Sequence, residues 1–219
     1  MPSHPTATLI TRVRGVVHRY GADRRGVAAV EFAFVVPIMF VMLIGAVELS
    51  QAITVDRRVT QVASSVADLV ARKETSISPT EITDIMKIGG YIVAPYSQSP
   101  MQVILRNVSS SSADATKTKQ SWQCTYSGVG MNPTPVCTCM NETYTVPANL
   151  VSTTDSVVVA EVTYTYTPLI FDYFLKKALP GSSSSPGTYT LSERIFMKPR
   201  GQAAMLLQGD GQPCPSPTF

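Results

Sequence analysis

Histidine is nearly missing from this chain, and charge is scarce. The sequence holds two histidines, His4 and His18. Asp, Glu, Lys and Arg together make up 15% of its 219 residues. Past residue 18, then, there is no imidazole to serve as a base or a metal ligand. That removes Ser–His and Cys–His nucleophiles and most zinc sites from the bulk of the chain. No Gly-rich loop with a lysine offers a phosphate cradle, and no H-E-x-x-H offers a metalloprotease helix. Acid pairs such as Glu161 with Asp172 have no catalytic spacing. No enzyme activity, cofactor or metal is expected.

The net charge of +3 misleads until it is divided. Residues 1–26 carry Arg12, Arg14, Arg19, Arg24 and Arg25 against Asp23; the rest carries 13 basic and 14 acidic side chains. A nucleic-acid binder spreads basic groups over a face of its fold, so no nucleic-acid partner is expected.

Only four cysteines occur: Cys124, Cys137, Cys139 and Cys214. All lie on one side of the long apolar run described below, hence in one compartment if that run crosses a membrane. An even count in an exported domain favours disulfides. The spacing C-x₁₂-C-x-C fits no common zinc framework. A Cys137–Cys139 ring would be very tight, so each is expected to pair with Cys124 or Cys214.

Between Gly26 and Glu48 the only charge is Glu31. This apolar run is long enough to cross a hydrocarbon core of about 30 Å. The arginines before it put the N-terminus in the cytoplasm and everything after it outside. A cleaved export signal would be shorter, with a small-x-small site after it. Here GAVELSQA offers no clean site. The helical pattern also continues: Val55, Val59, Val62, Val66, Leu69 and Val70 recur at steps of three and four. One helix from about Ala28 to Arg72 is expected, roughly 65 Å long at about 1.5 Å per residue. Its first half lies in lipid and its second buries a stripe. Pro37 leaves the Ala33 carbonyl without its helical donor and loosens the helix there. Gly45 permits close approach of a neighbouring helix.

Glu31 is the costly residue. A carboxylate near hydrocarbon costs about 2–4 kcal/mol unless it has a partner. It either snorkels to the cytoplasmic rim or meets a cation. A cut between Gly26 and Val27 would create one: Glu31 becomes the fifth residue, about one turn from a new α-amine. Between staggered neighbours the two groups would pair directly as subunits leave lipid.

The stretch RRGVAAVEF is similar to the processing site of type IV prepilins, with a basic leader, Gly, a few apolar residues and then Glu. More narrowly, GVAAVEFAFVVPIMFVMLIGAVEL resembles the TadE-like minor pilins or pseudopilins of the bacterial tight-adherence (Flp) pilus system. Arg24, Arg25, Gly26, Ala29, Glu31, Phe32, Pro37, Gly45 and Glu48 carry the likeness; Phe32 stands where Flp-type pilins usually have Tyr. The resemblance implies a processing site at Arg24, Arg25, Gly26 and Val27, cut by a prepilin peptidase. It implies assembly roles for Glu31, Phe32, Pro37, Gly45 and Glu48. The implied partners are that peptidase, other major and minor pilins, the inner-membrane assembly platform and the bilayer. The implied place is the bacterial inner membrane, single-pass, with incorporation in a surface pilus as a further implied step. A single-pass anchored binding protein is the alternative.

The exported portion reads as α+β: an antiparallel sheet packed on the outer half of the long helix. The expected divisions are a leader (1–26), the helix (27–73, in the membrane to about 49), an α+β domain (74–208) and a flexible tail (209–219) tethered at Cys214. Ser78, Pro79 and Glu81 make a capping box for a helix that buries Ile82, Ile85 and Met86 and stops at Gly89-Gly90. Strands are expected over 101–108, 119–126, 156–167 and 188–197, with polar loops at 109–113 and 128–137. The third strand alternates, with Val158, Ala160, Val162, Tyr164 and Tyr166 on one face. Residues 169–179 form a short helix or an aromatic loop, and PGSSSSPG a turn or linker.

Overall fold

The computed structural model describes residues 26–128, 134–178, 187–201, 205–208, 214–215 and 217–219. Residues 1–25 of the leader, most of PGSSSSPG and much of the tail from 209 lie outside the described residues. Contacts divide the chain into two compact units, Met1–Val47 and Glu48–Phe219. The long helix α1 (Val27–Ala71) starts in the first and ends in the second. Its observed ends fall one residue from the expected ones.

In the first unit every residue from Gly26 to Leu43 is exposed. A run of exposed Val, Phe, Ile, Met and Leu on all sides of a helix has no place in water; it fits lipid or a bundle of like helices. Pro37 sits inside α1 without ending it.

The second unit is built on the rest of α1. Val55, Val59, Val62, Val66 and Val70 are buried on one stripe, with Ala63 and Ala67 beside them and Leu69 packed at the edge. Each buried valine contributes about 1.5–3 kcal/mol of apolar transfer energy. The stripe faces an antiparallel sheet of five strands: β2 (Met101–Ser110), β3 (Thr118–Ser127), β4 (Val136–Thr143), β5 (Ser156–Tyr166) and β6 (Tyr189–Met197). Their spatial order is β4-β3-β2-β5-β6. Every second residue points to the helix: Val103 and Leu105, Trp122 and Cys124, Val158, Ala160 and Val162 all join the core. Trp122, fully buried, donates its indole N–H to the Met205 carbonyl at 2.7 Å. The opposite face of β5 carries a small cluster of Val108, Val151, Val157 and Val159. The expected α+β architecture is present.

Helix α2 (Pro79–Val93) opens as its sequence predicts. Ser78 Oγ accepts from the Glu81 amide at 3.3 Å, and the Glu81 carboxylate accepts from the Ser78 amide at 2.9 Å. It does not stop at Gly89-Gly90, as the glycine pair suggests; it runs on to Val93. Both glycines are buried inside it. A Cβ on Gly89 would lie 3.2 Å from Val62 and 3.3 Å from Val66. Gly89 is therefore a contact point where α2 presses on the α1 stripe. The helix ends at Ala94, which precedes Pro95 and takes extended backbone angles, as residues before proline do.

Three further strand features depart from the sequence expectations. Ser109 and Ser110 continue β2 rather than opening a loop. Strand β4 begins at Val136, inside the expected loop, and forms one edge of the sheet. Strand β1 (Ser76–Ile77) pairs in parallel with β7 (Leu206–Leu207). This pair joins the segment after α1 to a segment near the end of the chain.

Disulfides join Cys124 to Cys137 and Cys139 to Cys214. The first links directly opposed residues of β3 and β4. The second spans 75 residues and ties the tail to the edge strand. Closing a loop of that size removes unfolded-chain entropy worth about 4–5 kcal/mol.

A Gly89→Leu variant should force α2 off the valine stripe. Overpacking at such a contact costs about 1–3 kcal/mol. Urea unfolding of the reconstituted chain should show that loss, while Ile88→Leu, at a more exposed neighbouring position, should stay close to the parent.

Candidate functional site

The sequence-predicted site residues fall into two groups. Arg24 and Arg25 lie outside the described residues. Gly26 is exposed immediately before α1 begins at Val27, and no atom lies within 4 Å of where its Cβ would be. Packing among the described residues thus places no demand for glycine at this position. Glu31, Phe32 and Pro37 follow on the exposed apolar helix. Among the described residues Glu31 has no hydrogen-bond or ion-pair partner, so nothing within this part of the chain offsets a transfer of its charge toward hydrocarbon.

Glu48 is placed very differently. It is buried, and its carboxylate sits at the start of α3 (Leu169–Ala178), far along the chain. Oε1 accepts the Ile170 amide at 2.5 Å and the Phe171 amide at 3.1 Å; Oε2 accepts the Phe171 amide at 3.2 Å. The first turn of any helix leaves amides without partners, and a side chain just before it usually accepts from them. Here that residue is Pro168, which has no side-chain oxygen. Glu48 supplies the acceptor from α1, and its negative charge meets the positive end of the helix dipole. The residue expected to mark the outer end of the apolar run is therefore also the cap that fixes α3.

The same helix caps another. Arg58, ten residues further on, donates to the Ile92 carbonyl at 2.8 Å and to the Ala94 carbonyl, at the end of α2, and stacks over the Tyr96 ring. A cation at a helix C-terminus is the complement of an anion at an N-terminus. Lys73, just past α1, pairs with Glu81 of the α2 capping box. Glu48 and Arg58 on α1, and Lys73 just past it, thus hold ends of the two short helices.

The remaining charge cluster lies on the sheet face away from α1. Glu161 on β5 pairs with Arg106 on β2 and, at 2.7 Å, with Arg194 on β6. Tyr144 donates its hydroxyl to Glu161 at 2.7 Å, and Arg106 also reaches Gln123 on β3 at 2.9 Å. Burial alone would push the Glu161 carboxyl up, but hydrogen bonds from Arg106 and Tyr144 and the two guanidinium charges outweigh it and hold it below the usual value. Burial, followed by the bond to Glu161, pushes the Tyr144 phenol up to about 12. This is a cross-strand lock. Asp172, the other half of the acid pair considered from sequence, is buried in the first turn of α3, not in this cluster.

An open hollow of about 450 Å³ is lined by Gln51, Tyr96, Pro100, Tyr164, Tyr166 and Leu169 among others. No charged side chain lines it, so it holds no acid, base or cation for catalysis. Tyr164 and Tyr166, which alternate as expected, are core residues. Among the described residues no group of His, Cys, Asp and Glu is arranged to hold a metal.

Two outcomes follow. Glu48→Ala should speed hydrogen exchange at the Ile170 and Phe171 amides and lower stability by about 1.5–3 kcal/mol, the worth of hydrogen bonds to a charged acceptor; Glu48→Gln should lose less. Glu161 is held ionised by folding, so its contribution is complete above its ordinary value of 4.5 and fades as pH falls through the lower folded value. Urea midpoints should therefore drop in acid, and Glu161→Gln should flatten that drop.

Residues 26–68 match the family model of the TadE-like proteins. No curated protein and no solved structure matches the chain. The matched segment starts at Gly26, takes in the whole exposed apolar part of α1, and runs through Glu48 and Arg58 to within three residues of the end of that helix. Over residues 26–68 the chain is similar to the TadE-like proteins, and α1, which carries that likeness, is long and apolar enough to cross a bilayer.

Proposed function

We propose that this chain is a minor pilin or pseudopilin of a tight-adherence (Flp-type) pilus system, cut between Gly26 and Val27 by a prepilin peptidase. In this reading residues 1–26 stay in the cytoplasm, α1 crosses the inner membrane, and the disulfide-bonded α+β unit lies outside. Assembly extracts α1 from lipid into a bundle with other pilins on the inner-membrane platform. The assembled structure supports adhesion to surfaces.

The observation that carries the reading is the conjunction at the start of α1. The family match begins at Gly26, the helix begins at Val27, and Glu31 follows with its charge uncompensated among the described residues. A cut there would supply an α-amine one turn from Glu31, and a neighbouring subunit's amine would neutralise Glu31 in the bundle. Phe32, Pro37 and Gly45 then shape the contact between neighbouring helices: an aromatic knob, a locally loosened turn and a close approach. The open space around Gly26 adds a second support. A glycine that no packing among the described residues requires is one that an outside reader can require.

Intact-mass measurement of protein from its native cell should show a chain starting at Val27. Gly26→Val should abolish the cut and leave the circular dichroism of the purified chain unchanged, because nothing packs on that position. Retention of residues before Val27 in the native protein would refute processing. Glu31→Ala should be cut and inserted normally but be depleted from sheared pili or from the assembly platform; normal incorporation would refute the pairing of Glu31 with an amine.

A further inference from the structure

Helix α3 has a surface that the assembly role does not use. Leu169 is 80% exposed and Tyr173 63% exposed; Ile170 and Phe171 of the same turn are also exposed in part. On a helix of ten residues that is a dense apolar display. Lys177 is exposed near its other end.

The position of this display along the membrane normal follows from Glu48. Val27 to Val47 is 21 residues, about 31 Å of helix, which matches a hydrocarbon core of about 30 Å. Glu48, the next residue, therefore falls where hydrocarbon gives way to headgroups. The first turn of α3 is hydrogen-bonded to the Glu48 carboxylate. It must lie at the same depth to within the length of a side chain. Leu49, 62% exposed, and Ile53 add apolar surface on α1 at this end of the unit. The opposite end of the sheet, where Ser110 closes β2, is polar and about 30 Å away along that ten-residue strand.

We propose that α3 is a membrane-interface helix: its Leu169–Tyr173 turn inserts into the headgroup layer of the outer leaflet, with Lys177 reaching lipid phosphate. The occupant of this apolar surface is lipid. Its chemistry fits the division of labour of an interfacial helix, with aliphatic and aromatic groups entering the acyl boundary and a basic group staying at phosphate level. The Glu48 cap has a second use in this arrangement. It satisfies amides of the α3 first turn at a depth where water is depleted and an open amide is costly. Leaving the bilayer during assembly then means withdrawing α3 as well as α1. The inference rests on α1 spanning the membrane.

The four cysteines are all bonded in disulfides, so one introduced cysteine can carry a spin label on the full chain. The labelled positions are Leu169→Cys, Tyr173→Cys one turn on, Ser112→Cys in the exposed loop past β2, and Met42→Cys in the apolar run. Each protein is reconstituted in phosphatidylethanolamine–phosphatidylglycerol bilayers. Collisions with oxygen report lipid and collisions with a water-soluble nickel chelate report water. The expected result is an oxygen-to-nickel ratio several-fold higher at Leu169 and Tyr173 than at Ser112, and highest at Met42. Ratios at Leu169 and Tyr173 equal to that at Ser112, with Met42 in lipid, would overturn this proposal alone. Shielding of both α3 labels from both reagents would overturn it in favour of a protein partner. A water-exposed Met42 would overturn the membrane reading and this inference together.

Discussion

At Glu48 a single helix changes the solvent it is built for. Before that residue α1 is apolar on every side and buries almost nothing within the chain. After it, the same helix narrows to a valine stripe under a five-stranded sheet. An all-round apolar surface demands lipid or like helices, and a stripe demands a folded partner. One continuous element satisfies both demands if the change falls at a membrane surface, and the apolar run is long enough to span up to that point. In that arrangement the domain is anchored by its own core helix.

That economy leaves the outer half of α1 with two tasks. Its stripe supplies the hydrophobic core, through Val55 to Val70. Its charges hold other elements in place: Glu48 caps the start of α3, and Arg58 caps the end of α2. The unit has little charge, and part of it is placed at helix ends or in the Glu161 lock across the sheet. The disulfides do the rest at the far edge, where β4 offers little buried surface and is held by Cys124–Cys137 and Cys139–Cys214. Glu31 stands apart. It sits on the exposed apolar helix with no hydrogen-bond or ion-pair partner among the described residues, which is why the proposed function assigns it to a neighbouring subunit.

The parts legible in the sequence were those whose physics is local. A continuous apolar run, a 3–4 stripe, the Ser78–Glu81 capping box and the alternation of β5 all express themselves within a dozen residues, and the structure has them where expected. The parts that were not legible depend on partners far along the chain. Gly89-Gly90 reads locally as a helix stop; only the proximity of Val62 and Val66 shows why glycine is needed mid-helix. Strand β4 is an edge strand exposed on most of its length, so V-C-T-C-M-N-E-T shows no hydrophobic alternation to find. The two-residue pair β1–β7 is too short to leave a pattern. Glu48 reads as the rim of a membrane helix, while its hydrogen-bond partners lie more than a hundred residues away. One signal for that contact was present: α3 begins directly after Pro168, which cannot cap it, so an acceptor had to come from elsewhere.

The central claim is that α1 passes through the membrane surface without a break. Hydrogen exchange of the full chain in lipid bilayers, resolved at the amides of residues 46–52, tests it most directly. The account predicts slow exchange throughout that stretch, continuous with the protected stripe that follows. Rapid exchange confined to it would mean two helices joined by a hinge at Glu48, and would contradict the account.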